Sequence, residues 1–108
     1  MDTLLAEIQR VAAEGNIRVS AHGFEELADD DISLSEIIDS LDAAIPVEEY
    51  PDYHKGPCIL VLQRLHGGSG VHVLWGLAKN SRDVATLITA YRPDPDRWSE
   101  DFLRREPR

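Results

Sequence analysis

Residues 58–91 constrain the fold more than any other part of this chain. CILVLQRLH and VHVLWGLAK flank Gly67-Gly68-Ser69-Gly70, and VATLITAY follows the turn signal Asn80-Ser81-Arg82-Asp83. Runs rich in β-branched and large apolar residues on either side of a glycine turn predict a β-hairpin, extended here by a third strand. The strands are apolar on both faces over much of their length, so helices or a partner must cover part of each side. If the glycine turn pairs Leu65 with His72 and the second turn pairs His72 with Ala90, one face carries His72, Leu74, Gly76, Thr86, Ile88, Ala90 and Arg92. Val73, Trp75, Thr89 and Tyr91 then occupy the other. In that register His72 and Arg92 are diagonal neighbours, with backbones about 7–8 Å apart. A slip of one residue separates them.

Before this region the apolar period is helical. Leu4, Leu5, Ile8, Val11 and Ala12 form one stripe, stopped by Gly15-Asn16. A short extended Ile17-Arg18-Val19 leads to Ser20, an N-cap for a second helix whose Phe24, Leu27 and Ala28 are expected to face inward before the acidic turn Asp29-Asp30-Asp31. Ser33 and Glu36 have capping-box spacing. Ile37, Ile38 and Leu41 supply the buried face of a third helix, closed by Pro46. A short strand near Val47–Tyr50 precedes the hairpin. Asp96–Arg105 reads as a short C-terminal helix that packs Trp98, Phe102 and Leu103 on the sheet. The expected architecture is α+β, with N-terminal helices on an antiparallel sheet of about four strands and a short last helix. At 108 residues without repeats or linkers, the chain reads as one domain, 1–108.

Charge narrows the function classes. The net charge is −9, and it is uneven: residues 1–57 hold 14 acids against three bases, a balance of −11, and residues 58–108 hold 6 acids against 8 bases, a balance of +2. Such an acidic protein repels polyanions, which excludes DNA and disfavours RNA for the surface as a whole. An anion must approach through the second half. No stretch of about 18 apolar residues and no charged leader ahead of an apolar run is found, so neither a membrane span nor a secretory signal is expected, and the cytoplasm is the default location. The single Cys58 lies in an apolar run and reads as an inert buried thiol. His54, His66 and His72 lack ligand spacing, so no metal is expected. The glycine turn lacks the lysine and helix of a phosphate loop, and no cofactor is implied.

The stretch Tyr91-Arg92-Pro93-Asp94-Pro95 combines a cation with an abrupt strand stop. Pro93 ends ladder donation and holds Arg92 extended, and Asp94 with Pro95 suits a helix start. A guanidinium fixed beside an imidazole makes a candidate anion site. The groups such a site can draw on are His72 as base or acid, Arg92 as anion clamp, and His22 or Tyr91 as a second proton group. Arg64, Arg97 and Arg104 are the further phosphate-binding candidates. Each has a plainer reading. His22 suits a helix start, His72 a packed strand histidine, Tyr91 and Trp98 core filling, and Arg92 an ion pair with Asp94, Asp96 or a helix acid.

Ser20-x-His22, Glu25, Leu27, Ile32-Ser33, Tyr50-Pro51, His72-Val73, Ile88-Thr89-x-Tyr91-Arg92-Pro93-Asp94-Pro95-x-x-Trp98 and Arg104-Arg105 together make a pattern across residues 17–105. It resembles a bacterial domain-of-unknown-function family regarded as sharing the RelE/ParE toxin-like fold with metal-independent ribonuclease toxins. The chain departs from that family at Glu26 and Asp30, where arginines are frequent, and at Asp31, where a glycine is expected. The resemblance implies a RelE-like scaffold and leaves two functions open. One is a non-catalytic protein-interaction module, acting as a homodimer or with an antitoxin-like partner. The other is a ribonuclease-type toxin of a toxin–antitoxin system; metal-independent RNA cleavage needs a base, an acid and a cation facing the phosphorane, and the resemblance implies His72, His22 or Tyr91, and Arg92 for those roles.

Overall fold

The computed structural model describes residues 3–78 and 80–106; Lys79, the last residue of VHVLWGLAK, and the two residues at each terminus lie outside them. The elements are α1 (Leu4–Ala13), β1 (Ile17–Val19), α2 (Ala21–Asp29), α3 (Leu34–Ser40) with a 3-10 turn over Leu41–Ala43, β2 (Ile45–Tyr50), β3 (Cys58–Arg64), β4 (Gly70–Ala78) and β5 (Ser81–Tyr91). The class is α+β as expected, but the sheet has five strands in the order β1-β5-β4-β3-β2. It is mixed, because Ile17, Arg18 and Val19 pair in parallel with Ala85, Thr86 and Leu87. Three residues are too few to show a period of two, which is why the sequence reads them only as an extended connection.

One sheet face carries the helices. Leu5, Ile8, Val11 and Ala12 of α1 are buried as the stripe predicts, and with Ile37, Val61, Val73, Trp75, Leu87 and Ala90 they make the core. Gly15 ends α1 at a φ of +85°, a left-handed conformation that favours glycine. Within this layer one buried polar network ties α3 to the sheet. The Gln63 amide nitrogen donates to the Ile37 carbonyl (2.6 Å) and to Ser40 Oγ (2.9 Å), and its oxygen accepts from Trp75 Nε1 at 2.8 Å.

Several helix faces differ from expectation. Phe24 is 59% exposed, and Ala28 and Ile38 are exposed too. The row of α2 that meets the sheet is Gly23–Leu27: a Cβ at Gly23 would stand 3.0 Å from both the Leu87 carbonyl oxygen and Cδ2, so the helix backbone lies against β5 and Phe24 is rotated outward. The Ser33 hydroxyl accepts from the Glu36 amide (3.4 Å), but the Glu36 carboxylate accepts from the His66 amide (3.1 Å). Pro46 lies inside β2, at a register irregularity between Pro46 and Glu48 on an edge strand, where a missing donor is tolerated.

Ser20 holds the junction of β1, α2 and β5. Its hydroxyl accepts from the Gly23 amide (2.9 Å) and donates to the Ile88 carbonyl (2.7 Å). Ile88 is the extra residue of a bulge, since Leu74 pairs with Thr89 but Trp75 with Leu87. Ser20→Ala removes both bonds, and the expected loss of about 1–3 kcal/mol is read by urea unfolding. A change near zero would show that the bulge does not need this hydroxyl.

The C-terminal segment is not the expected helix. Residues 94–105 form turns closed by a Trp98–Arg105 bridge, with the Ser99 amide bonded to the Arg104 carbonyl at 2.8 Å. Asp94 caps the Asp96 amide (2.9 Å), but Asp101 then takes the Leu103 amide and Ser99 Oγ takes the Arg104 amide. These side-chain bonds compete with the helical ladder. The resulting strap lies on the sheet face opposite the helices. No helix among the described residues is long and apolar enough to cross a membrane.

Candidate functional site

The hairpin connection sets what the site can contain. β3 ends at Arg64 and β4 begins at Gly70, so residues 65–69 form the connection and His72 pairs with Leu62, not Leu65. On the other side His72 pairs with Tyr91, not Ala90. The second turn is also tighter than expected: β5 starts at Ser81, which places Arg82 in the strand, where its guanidinium grips Glu7 at 2.7 and 3.0 Å. Alternation therefore puts His72 and Tyr91 on the helix-free face and Arg92 on the helix side. The expected His72–Arg92 neighbourhood does not form.

His72 is fully buried beneath the strap. Its Nε2 lies 2.7 Å from the Phe102 carbonyl, which can only accept, so Nε2 carries the proton. Nδ1 is then the acceptor, and the Tyr91 hydroxyl at 3.1 Å donates to it. Trp98 meets the imidazole edge-on at 4.3 Å between ring centroids, and the Arg105 guanidinium sits 4.8 Å over the Trp98 ring. Arg105 in turn binds the Glu48 carboxylate (2.8 Å), which also accepts from the Tyr50 hydroxyl. Burial depresses the basicity of His72, opposed by its bond to Phe102. Burial also raises the Tyr91 hydroxyl, and the Arg105 and Tyr50 bonds lower Glu48. The centre is thus a buried neutral imidazole and a half-buried protonated phenol in an aromatic layer, edged by an ion pair.

The remaining candidates are dispersed. The Arg92 amide donates to the Asp30 carboxylate (2.9 Å), and its guanidinium donates to the Asp30 and Asp31 carbonyls (3.1 and 3.2 Å), so it caps the carbonyl end of α2. His22 is exposed on α2, 3.4 Å from Glu26. Arg64 is exposed and bonds the Gly68 carbonyl at 3.3 Å, Arg97 is 3.8 Å from Asp94, and Arg104 is exposed on the strap. They do not ring His72. Cys58 is buried, and burial pushes its thiol up. Among the described residues no group of three His, Cys, Asp or Glu side chains could hold a metal ion.

Two sets of residues escape sequence reasoning. Glu48, Tyr50 and Arg105 complete the surroundings of His72; Tyr50 and Arg105 stand in the family-like pattern, but that pattern does not place them beside His72, and for Glu48 the only local signal is its period-two spacing from Tyr50 on β2. Arg18, Tyr53 and Lys55 border a cleft further along the same helix-free face. No local pattern joins them, because they come from an edge strand and a loop.

These features define an α+β domain of helices on one side of a mixed five-stranded sheet and a C-terminal strap across part of the other. The chain belongs to the family described as Domain of unknown function (DUF4258), whose model matches residues 19–92, more than half of the chain. The match covers Ser20, His72, Tyr91 and Arg92 and ends before the strap. No curated protein and no solved structure matches the chain.

Proposed function

We propose that this domain is a non-catalytic protein-interaction module on a RelE/ParE toxin-like scaffold, acting in the cytoplasm, and not a ribonuclease. The observation that carries the reading is the state of His72: both ring nitrogens are engaged, and the side chain is closed to solvent. A general base must reach the proton it removes, directly or through one water. Arg92, the intended phosphate clamp, lies on the opposite side of the sheet and is engaged by carbonyls.

The charge favours a partner over a polyanionic substrate. Glu25, Asp29, Asp31 and Asp39 are exposed on or beside α2 and α3, the same two helices that expose Phe24 and Ile38. Such surfaces repel a second copy of themselves and suit an antitoxin-like protein with apolar contacts inside a basic rim.

Induced expression in a bacterial host, wild type beside Arg92→Ala, tests the reading. Growth and mRNA are expected to be unaffected by either. Growth arrest with mRNA loss from the wild type, absent in Arg92→Ala, would overturn it in favour of the ribonuclease toxin. Light scattering of the purified chain is expected to give a monomer, and a stable dimer would reject the hetero-partner.

A further inference from the structure

The helix-free face is not wholly covered by the strap. Beyond His72 toward the β1 edge it holds a cleft of about 290 Å³. Gly76 of β4 and Thr86 and Ile88 of β5 lie at its floor, Arg18 enters from β1, and Tyr53 and Lys55 enter from the β2–β3 loop. The floor is built closely. A Cβ at Gly76 would come within 2.9 Å of Ile88 Cδ1, so the bulged isoleucine lies over the glycine and makes an apolar surface. The carbonyl of that same bulge residue is held by Ser20, which also lines the cleft.

The charge at this place runs against the rest of the molecule. The chain has 20 acidic residues in 108, yet none of the described ones lines the cleft. Residues 1–57 contain only three bases, and two of them, Arg18 and Lys55, come together here from separate elements. The third, Arg10, is 3.6 Å from Glu14. Among the described residues Arg18 and Lys55 take part in no ion pair. Two cations without carboxylate partners, over an apolar floor and beside an aromatic ring, are what recognition of a charged head on an apolar body requires.

The geometry points to a binding site for a small organic anion. Its carboxylate or phosphate is held by Arg18 and Lys55, and its planar apolar body rests on Ile88 and Gly76 beside Tyr53. The volume, just below the roughly 300–1,000 Å³ of ligand pockets, fits a single ring with its charged group and not a polymer. This site does not depend on the interaction reading above.

The test is an NMR titration of the isotope-labelled full chain with phenyl phosphate and, separately, benzoate; inorganic phosphate and benzyl alcohol supply the head and the body alone. Saturable shifts are expected at the amides of Arg18, Lys55, Gly76 and Thr86. Whichever of phenyl phosphate and benzoate binds more tightly identifies the head group, and inorganic phosphate and benzyl alcohol are each expected to bind at least about tenfold more weakly than that probe. The double variant Arg18→Gln/Lys55→Gln is expected to lose at least about tenfold in affinity. Both positions are exposed, and an otherwise unchanged spectrum verifies its fold. The proposal is overturned by the absence of saturable shifts, by unchanged affinity in the folded double variant, or by inorganic phosphate binding as tightly as phenyl phosphate. The last result would leave a bare anion contact with no role for the apolar floor.

Discussion

Gln63→Leu is expected to lower the stability of the fold by about 2–4 kcal/mol, a shift of the urea midpoint that a single buried side chain seldom produces. Leucine nearly matches glutamine in size, so little of the loss comes from a cavity. It comes from the partners left behind: the buried Trp75 indole N–H loses its acceptor, and the Ile37 carbonyl loses its short bond and keeps only the 3.3 Å bond from the Ser40 hydroxyl. A buried polar group without a partner costs about 1–3 kcal/mol. Gln63→Glu is expected to be no milder, because its carboxylate can accept from Trp75 but cannot donate to Ile37, and it brings a charge into the core. The decisive comparison is with Trp75→Phe. The double variant Gln63→Leu/Trp75→Phe is expected to lose less than the sum of the two single losses, because removing both ends of a bond strands no donor. Strict additivity would dismiss the network as a stabilising unit.

The same residue shows where the sequence stops being informative. In CILVLQRLH, Gln63 looks like a polar interruption near a strand end, and its partner Ile37 lies 26 residues earlier on a helix. What the sequence does reveal is carried by local periodicity or local chemistry: the α1 stripe, the Ser20 and Ser33 caps, and the glycine hairpin all form as the residues dictate. What it hides turns on parity. One extra residue at Ile88 decides whether Arg92 or Tyr91 shares a face with His72, and it is not visible in composition. Phe24 sits one position away from Gly23, and it is the small residue that settles which row of α2 meets β5. In the strap, Trp98, Phe102 and Leu103 do have helical spacing, but Ser99 and Asp101 capture the amides the helix would use. The candidate site was legible in its residue types and not in its arrangement.

Arrangement also makes His72 sensitive to acid, which gives the second large expected effect. His72→Phe retains a ring of similar size but strands the Phe102 carbonyl and removes the acceptor of the Tyr91 hydroxyl, with an expected loss of about 2–4 kcal/mol. The strap should loosen first, because its packing on the sheet is centred on this imidazole, and tryptophan fluorescence from Trp98 should report the change. The pH dependence separates this role from simple space filling. Burial holds His72 below the ordinary histidine value of 6.5, so as pH falls the unfolded chain takes up the proton before the folded one does. Between those two values the unfolded state binds more protons, and stability declines as pH drops below 6.5 until the folded-state value is passed. Glu48 also favours the fold through its depressed carboxyl, but its contribution is present above 4.5 and is lost only as pH falls below that, in a separate window. The stability difference between wild type and His72→Phe should therefore be constant above about pH 7 and shrink as pH falls below 6.5, as the wild type alone loses ground. A difference that stays constant across that interval would mean that His72 is already protonated in the fold, and the assignment of its Nδ1 as acceptor for Tyr91 would fail with it.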